Sequence, residues 1–148
     1  MPNFSPSRSA IDEPARDMAM EVLDEQQCQD LLGSKNIGRI AFSVVDVPEI
    51  LPVNYASDRS TVVFRTAEDT KLRHAVMRRV AFEVDEWNPA TGVGWSVVVK
   101  GVAREITSGL DPFAAALRTR PVVPLAPGAR EYWIAIYPSE ITGRRFRR

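Results

Sequence analysis

The sequence predicts a mostly β protein: a closed or partly closed β-barrel of six or seven mainly antiparallel strands, with two or three short helices between them. Three observations predict it. From Gly38 onward the apolar residues recur at every second position, the period of a strand with one buried face. Turn chemistry interrupts these runs at close spacing, which joins neighbours as antiparallel hairpins. A barrel leaves no sheet edge unpaired, so it suits many short strands better than an open sheet does.

The elements follow in order. Residues 1–18, MPNFSPSRSAIDEPARDM, are rich in Pro, Ser and charge and lack apolar periodicity; they are expected to form a flexible arm ahead of one domain over 19–148. Asp24 can N-cap a helix, and Gln27 three residues on completes a capping box. Cys28, Leu31 and Leu32 then share one stripe, and Gly33 stops the helix. GRIAFSVV (38–45) puts Ile40, Phe42 and Val44 on one face. Asp46-Val47-Pro48 reads as a hairpin turn into ILPVNY (50–55), with Leu51, Val53 and Tyr55 opposite Ile50, Pro52 and Asn54. Asp58-Arg59-Ser60 turns the chain into TVVFRT (61–66), completing a three-stranded meander. A short helix from Thr70 to about Arg78 faces Leu72 and Val76 to the core.

VAFEVD (80–85) alternates strictly, and Trp87 to Gly92 is turn chemistry. GWSVVVKGVAREI (94–106) is the longest strand candidate, and Gly101 predicts a bend within it. DPFAAALRTR (111–120) reads as a helix capped by Asp111 with Pro112 at its first position. PVVPLAPG (121–128) is loop, YWIAIY (132–137) is the last clear strand, and EITGRRFRR adds one more short strand.

Composition excludes several classes of function. A chain of 148 residues buries roughly 70% of its extended surface as one domain and needs no covalent staples. Nineteen basic residues balance 19 acidic ones, which argues against a general nucleic-acid or membrane-surface binder. One cysteine, Cys28, makes neither an intramolecular disulfide nor a multi-cysteine metal site, and fits a reducing cytoplasm. One histidine, His74, rules out a histidine-rich metal centre, so no metal is expected. No apolar run approaches the roughly 18 residues of a membrane span, and the start carries no signal pattern. A cytoplasmic protein is expected.

The candidate chemistry is sparse. A nucleophilic triad needs a base beside the nucleophile, and His74 lies among solvated helix charges. Cys28 reads as a small buried hydrophobe. Neither a dinucleotide fingerprint nor a P-loop spacing occurs. Glu83, Asp85 and Glu86 cluster, most simply as a solvated face.

What remains is polar residues set into strands: Asn54 in LPVNY, Arg65 and Thr66 at a strand end, and Thr70 and Lys71 at the helix start. A lysine in a first helical turn opposes the dipole, so an anion among Arg65, Thr66, Thr70 and Lys71 would relieve the conflict. Solvated loop charges are the competing reading, with equal weight. Gly94-Trp95-Ser96 would flank a planar ligand or else cap the barrel. Gly143-Arg144-Arg145 would reach a phosphate or ring edge or else be a solvated tail.

These pieces stand in a known order. GRIAF, LPVNY, VVFRT, TKL, VAFEVD, GWSVVVKGVAREI and ITGRR together resemble the pyridoxamine 5'-phosphate oxidase-like FMN-binding family, in its smaller actinobacterial form. The resemblance covers about residues 21–106 and 132–146. It implies a split barrel, a homodimer, and flavin mononucleotide (FMN) in a cleft made by both subunits. It implies that Pro52, Val53, Asn54 and Tyr55 run beside the isoalloxazine ring. Phe64, Arg65, Thr66 and Lys71 would hold the ribityl chain and phosphate, with Thr70 beside them. Trp95, Ser96 and Val97 would lie near the ring, often from the partner, with Arg144 or Arg145 adding a cation. Relatives often carry a glycine before the lysine, whereas this chain has Ala67-Glu68-Asp69-Thr70. Two carboxylates there would repel a phosphate unless they point away.

The resemblance implies a flavin-dependent oxidoreductase acting on a small-molecule redox substrate, with no classical acid or base required. A deazaflavin coenzyme, whose acidic tail would suit the C-terminal arginines, is the alternative cofactor. Haem ranks below both, since His74 alone is available as a histidine axial ligand. A non-catalytic flavin carrier or ligand-less barrel is the alternative function. No residue set marks a pyridoxal phosphate substrate, so the vitamin-forming activity is not carried over.

Overall fold

The computed structural model describes residues 19–107, 112–123 and 132–148. Its strands are β1 (Ala19–Val22), β2 (Ile37–Val44), β3 (Val47–Asp58), β4 (Thr61–Thr66), β5 (Arg79–Asn88), β6 (Val93–Glu105) and β7 (Tyr132–Arg147). Helices α1 (Glu25–Gly33) and α2 (Pro112–Leu117) and a 3₁₀ turn, Lys71–Ala75, complete the elements. Hydrogen bonds link the strands in the order β1-β7-β4-β3-β2-β5-β6, and β6 pairs back onto β7. Six strands therefore close a ring, with β1 attached outside it along β7. Every strand pairing is antiparallel. This is a split barrel, as the sequence predicts.

The interior is filled by the alternation read from the sequence: Ile40, Phe42, Val53, Tyr55, Phe64, Phe82, Val84, Val97 and Val99 are all buried. Burying a side chain such as Phe82, at 0% exposure, contributes about 1.5–3 kcal/mol. β4 is buried on both faces. Val62 and Phe64 point inward, while Val63 joins Ala135, Ile106 and the Ala114 and Leu117 of α2 in a second cluster outside the ring.

The two ends of the ring are plugged. α1 begins with the predicted capping box: Asp24 Oδ1 accepts from the Gln27 N–H at 2.8 Å, and Gln27 Oε1 accepts from the Asp24 N–H at 2.9 Å. Its Cys28 and Leu32 are buried in the core, and the Tyr55 hydroxyl donates to the Leu32 carbonyl at 2.5 Å. Burial pushes the Tyr55 phenol far above its usual range, and burial with the nearby Asp24 and Glu25 raises the Cys28 thiol. At the other end the 3₁₀ turn packs Leu72, Ala75 and Val76 against the core. Among the described residues no helix is long and apolar enough to cross a membrane.

Several expectations are corrected. The first hairpin turns at Val45-Asp46, not Asp46-Val47-Pro48, because Val44 pairs directly with Val47. Both turn residues have positive φ, 49° and 62°, the backbone of a two-residue primed turn. The helix expected from Thr70 to Arg78 is a single 3₁₀ turn that ends before Met77, whose φ is +65°. Trp87 and Asn88 extend β5 rather than belonging to the turn. The expected strand 132–137 and the short strand after it are one element of 16 residues. β1 was not anticipated: four exposed residues carry no burial period, and pairing with Arg144–Arg147 alone defines them. α2 is shorter than 111–120; its Asp111 cap, the 1–18 arm and residues 124–128 of the Pro-rich loop lie outside the described residues.

Candidate functional site

Strand alternation sorts the candidate residues onto two sides of the barrel wall. Val53, Tyr55, Phe64 and Val97 face the interior and are 0–5% exposed, so only their backbone can meet a ligand. Pro52 and Asn54 face outward, in register with Arg39 and Ile37 of β2. Farther round, Asp85 pairs with Ser96, and Ser96 with Arg144. Asn54, on β3, thus lies three strands from β6 round the ring, whereas Ser96 and Arg144 are direct neighbours on the outer wall. A shallow depression of about 250 Å³ there is lined by Ser96, Val98, Lys100, Thr142, Gly143 and Arg144. A wider groove of about 600 Å³ includes Ala41, Ile50, Ala81 and Val102.

Two groups that the sequence separates by almost fifty positions are direct neighbours. Trp95, Ser96 and Val97 pair with Arg145, Arg144 and Gly143. Gly143 is required here, because a Cβ would lie 2.6 Å from the Cys28 sulfur. Trp95 packs against the core edge with Lys35 Nζ 5.8 Å from its ring centroid, and Lys35 also pairs with Glu86. Arg145 Nη1 lies 3.4 Å from Glu21 of β1.

The expected anion pocket divides between faces. Arg65 leaves the outer side of β4, with its guanidinium over the Trp133 ring at 5.2 Å. Thr66, 1% exposed, points the other way, and its hydroxyl contacts that of Thr70. Thr70 Oγ1 also donates to the Ala67 carbonyl at 2.9 Å. Lys71 is exposed and reaches Glu49 Oε1 at 2.8 Å. A one-turn 3₁₀ element carries little dipole, so any anion here depends on side chains rather than on a helix end. Glu68, one of the two carboxylates in this loop, is drawn to Arg73, with Nε 3.5 Å from its Oε2.

Sequence reasoning missed Glu49, Arg73 and Trp133. Glu49 meets Lys71 across 22 positions, a contact set by barrel closure and not by any local spacing. The acidic cluster is a charged outer face, as expected: Arg39 Nη1 bridges Glu83 at 3.1 Å and Asp85 at 3.0 Å. Partial burial and then Asp85 hold the Glu83 carboxyl above its usual value despite Arg39.

A six-stranded ring with β1 attached outside it and both ends plugged defines the split-barrel class of fold. Comparison with known proteins narrows this. The family model described as pyridoxamine 5'-phosphate oxidase matches residues 24–145. The FAD binding protein from Mycobacterium smegmatis is 38% identical, with TM-score 0.72 over 86% of this chain and 98% of its own. An uncharacterized protein of Mycobacterium tuberculosis is 34% identical over 94% of this chain and 92% of its own. A FAD-binding protein from Mesorhizobium loti, 20% identical, shares the fold with TM-score 0.68 over 88% of this chain and 99% of its own. The chain belongs to the pyridoxamine 5'-phosphate oxidase family.

Proposed function

We propose that this protein is a cytoplasmic flavin-dependent oxidoreductase that binds FMN at the interface of a homodimer. The observation that carries the reading is the exposed Lys71 ammonium next to Thr70 on the loop after β4, in a chain whose family match spans residues 24–145. A cation with neighbouring hydroxyls suits a phosphate monoester, and Arg65, on the outer side of β4, would have to reach round the strand end to add a second cation. Lys71 is 62% exposed, so its pairing with Glu49 is a surface contact that a doubly charged phosphate can replace. Asn54 on β3 and the Ser96–Arg144 pair on β6 and β7, brought together across a two-fold axis, would supply hydrogen-bond partners for the ring edges of a flavin shared between subunits.

The flavin supplies the electron transfer; the chain binds it, orients it and keeps water from it. The FAD named for the mycobacterial relative contains the FMN unit, so the same donors serve that unit in either cofactor. A dimer is supported by the outer face itself. It exposes Ile37 at 52% and Ile50 at 65%, and interleaves Arg39 and Lys100 with Glu83 and Glu140. Exposed apolar residues ringed by both signs of charge suit an isologous two-fold contact.

Arg65→Ala combined with Lys71→Ala is expected to weaken FMN binding by about a hundredfold, the loss of two charge-assisted contacts, and to leave riboflavin binding unchanged. Fluorescence titration with both ligands measures this, and equal weakening of the two places the phosphate elsewhere. Parallel titration with FAD and the deazaflavin coenzyme ranks the cofactors. Bound flavin that no nicotinamide or substrate reduces would identify a carrier.

A further inference from the structure

Arg73 is a heavily engaged cation at the barrel end that carries the 3₁₀ turn. Both Nη atoms donate to Glu105 Oε2, at 3.2 and 3.3 Å. Nε lies 3.5 Å from Glu68 Oε2. Its Cζ sits 4.2 Å from the centroid of the Tyr132 ring. Its backbone N–H donates to the Thr70 carbonyl at 3.1 Å. One residue therefore ties the 3₁₀ turn to the end of β6 and the start of β7, and gathers in a carboxylate from the preceding loop.

That carboxylate is badly placed for an anion site. Glu68 lies two residues from both Thr66 and Thr70 and three from Lys71. Its side chain is 67% exposed and is paired with Arg73 alone among the described ion pairs. Without that pairing it is free to swing towards any anion held by the loop. Arginine suits the task, since its charge is permanent and its fork engages two carboxylates at once.

We propose that Arg73 is a positioning residue for the phosphate loop: it holds the Glu68 carboxylate off the site formed by Thr66, Thr70 and Lys71 and thereby sets the preference for a phosphorylated flavin. This rests on the reading that the flavin phosphate lies at this loop. The contact of interest is electrostatic and local, so it acts on the ratio of FMN to riboflavin affinity and not on flavin binding as a whole.

The test is a double-mutant cycle read as the ratio of riboflavin Kd to FMN Kd, by fluorescence titration on the full chain. Arg73→Gln keeps a donor for Glu105 and removes the charge; it is expected to lower the ratio about tenfold. Glu68→Gln alone is expected to change it by less than about twofold, and in the Arg73→Gln background to restore most of the loss. An unchanged ratio in Arg73→Gln, a loss not restored by Glu68→Gln, or equal weakening of both flavins overturns the proposal while leaving the phosphate reading intact. A wild-type protein that binds FMN no better than riboflavin removes the reading and this inference together. Should Arg73→Gln fail to fold, the same cycle on Arg73→Lys, which reaches one carboxylate at a time, reads the coupling: restoration by Glu68→Gln supports the proposal and its absence overturns it.

Discussion

Val45 shows how a single residue can work against its own turn. It sits at φ 49°, in the left-handed region, and its side chain is 91% exposed, so nothing packs against it in return. A left-handed β-branched residue costs about 1–2 kcal/mol. Val45→Asn is therefore expected to stabilise the protein by about 1 kcal/mol, visible as a higher denaturant midpoint with an unchanged slope. The same residue explains a misplaced boundary. Asp46-Val47-Pro48 has the composition of a turn, whereas Val45 does not, and only the Val44–Val47 pairing reveals which two residues turn. The Asp24–Gln27 box was legible because its partners are three residues apart and carry their own donors and acceptors. The partners of Lys71 and Arg73, Glu49 and Glu105, were not, since each lies across the barrel wall.

Among the elements, β6 and β7 carry the most information about how the ring closes. They pair from Val93 opposite Arg147 to Glu105 opposite Ile134 with one irregularity, between Lys100 and Gly101, where Gly101 opposes Pro138 and Ser139 is passed over. The bend expected from Gly101 is this bulge. A Cβ at Gly101 would lie 2.0 Å from the Tyr137 carbonyl oxygen, an atom of the backbone that cannot turn aside. Gly101→Ala is expected to cost about 3 kcal/mol or more and to lower the thermal midpoint accordingly. Strands with one buried face were legible from their period of two. β7 was read as two pieces because Pro138, Gly143 and the exposed 138–140 stretch interrupt that period. Its continuity comes from its neighbours, with β4 along Tyr132 to Ile136, β6 from Ile134 to Arg147 and β1 along Arg144 to Arg147.

For the whole molecule, the question is what covers the outer face. The sequence identified which residues alternate outward, but not that β6 and β7 pair Ser96 with Arg144 while Asn54 stands three strands away round the ring. A stable two-fold interface needs about 800 Å² from each copy. Ile50 stands on that face at 65% exposure, so a charge there leaves the monomer's core untouched. On the proposed dimer, whose wild-type mass light scattering would give as two chains, Ile50→Asp is expected to yield the mass of one chain and to abolish FMN binding with little change in thermal midpoint. A variant that is monomeric yet binds FMN normally would show that one subunit suffices for the cofactor.

The ring of β2 to β7 has a consequence for biogenesis. Until β7 arrives, the meander β4-β3-β2-β5-β6 is an open sheet whose two outer strands, β4 and β6, offer unpaired backbone and apolar side chains to any passing chain. A ribosome that has exposed only residues up to 107 therefore holds an adhesive intermediate. β4 and β7 begin to pair at Thr66 and Tyr132, so closure joins distant segments and is expected to be the slow step of folding. The single strand that unites the candidate ligand-binding segments is also the one that ends the protein's exposure to aggregation.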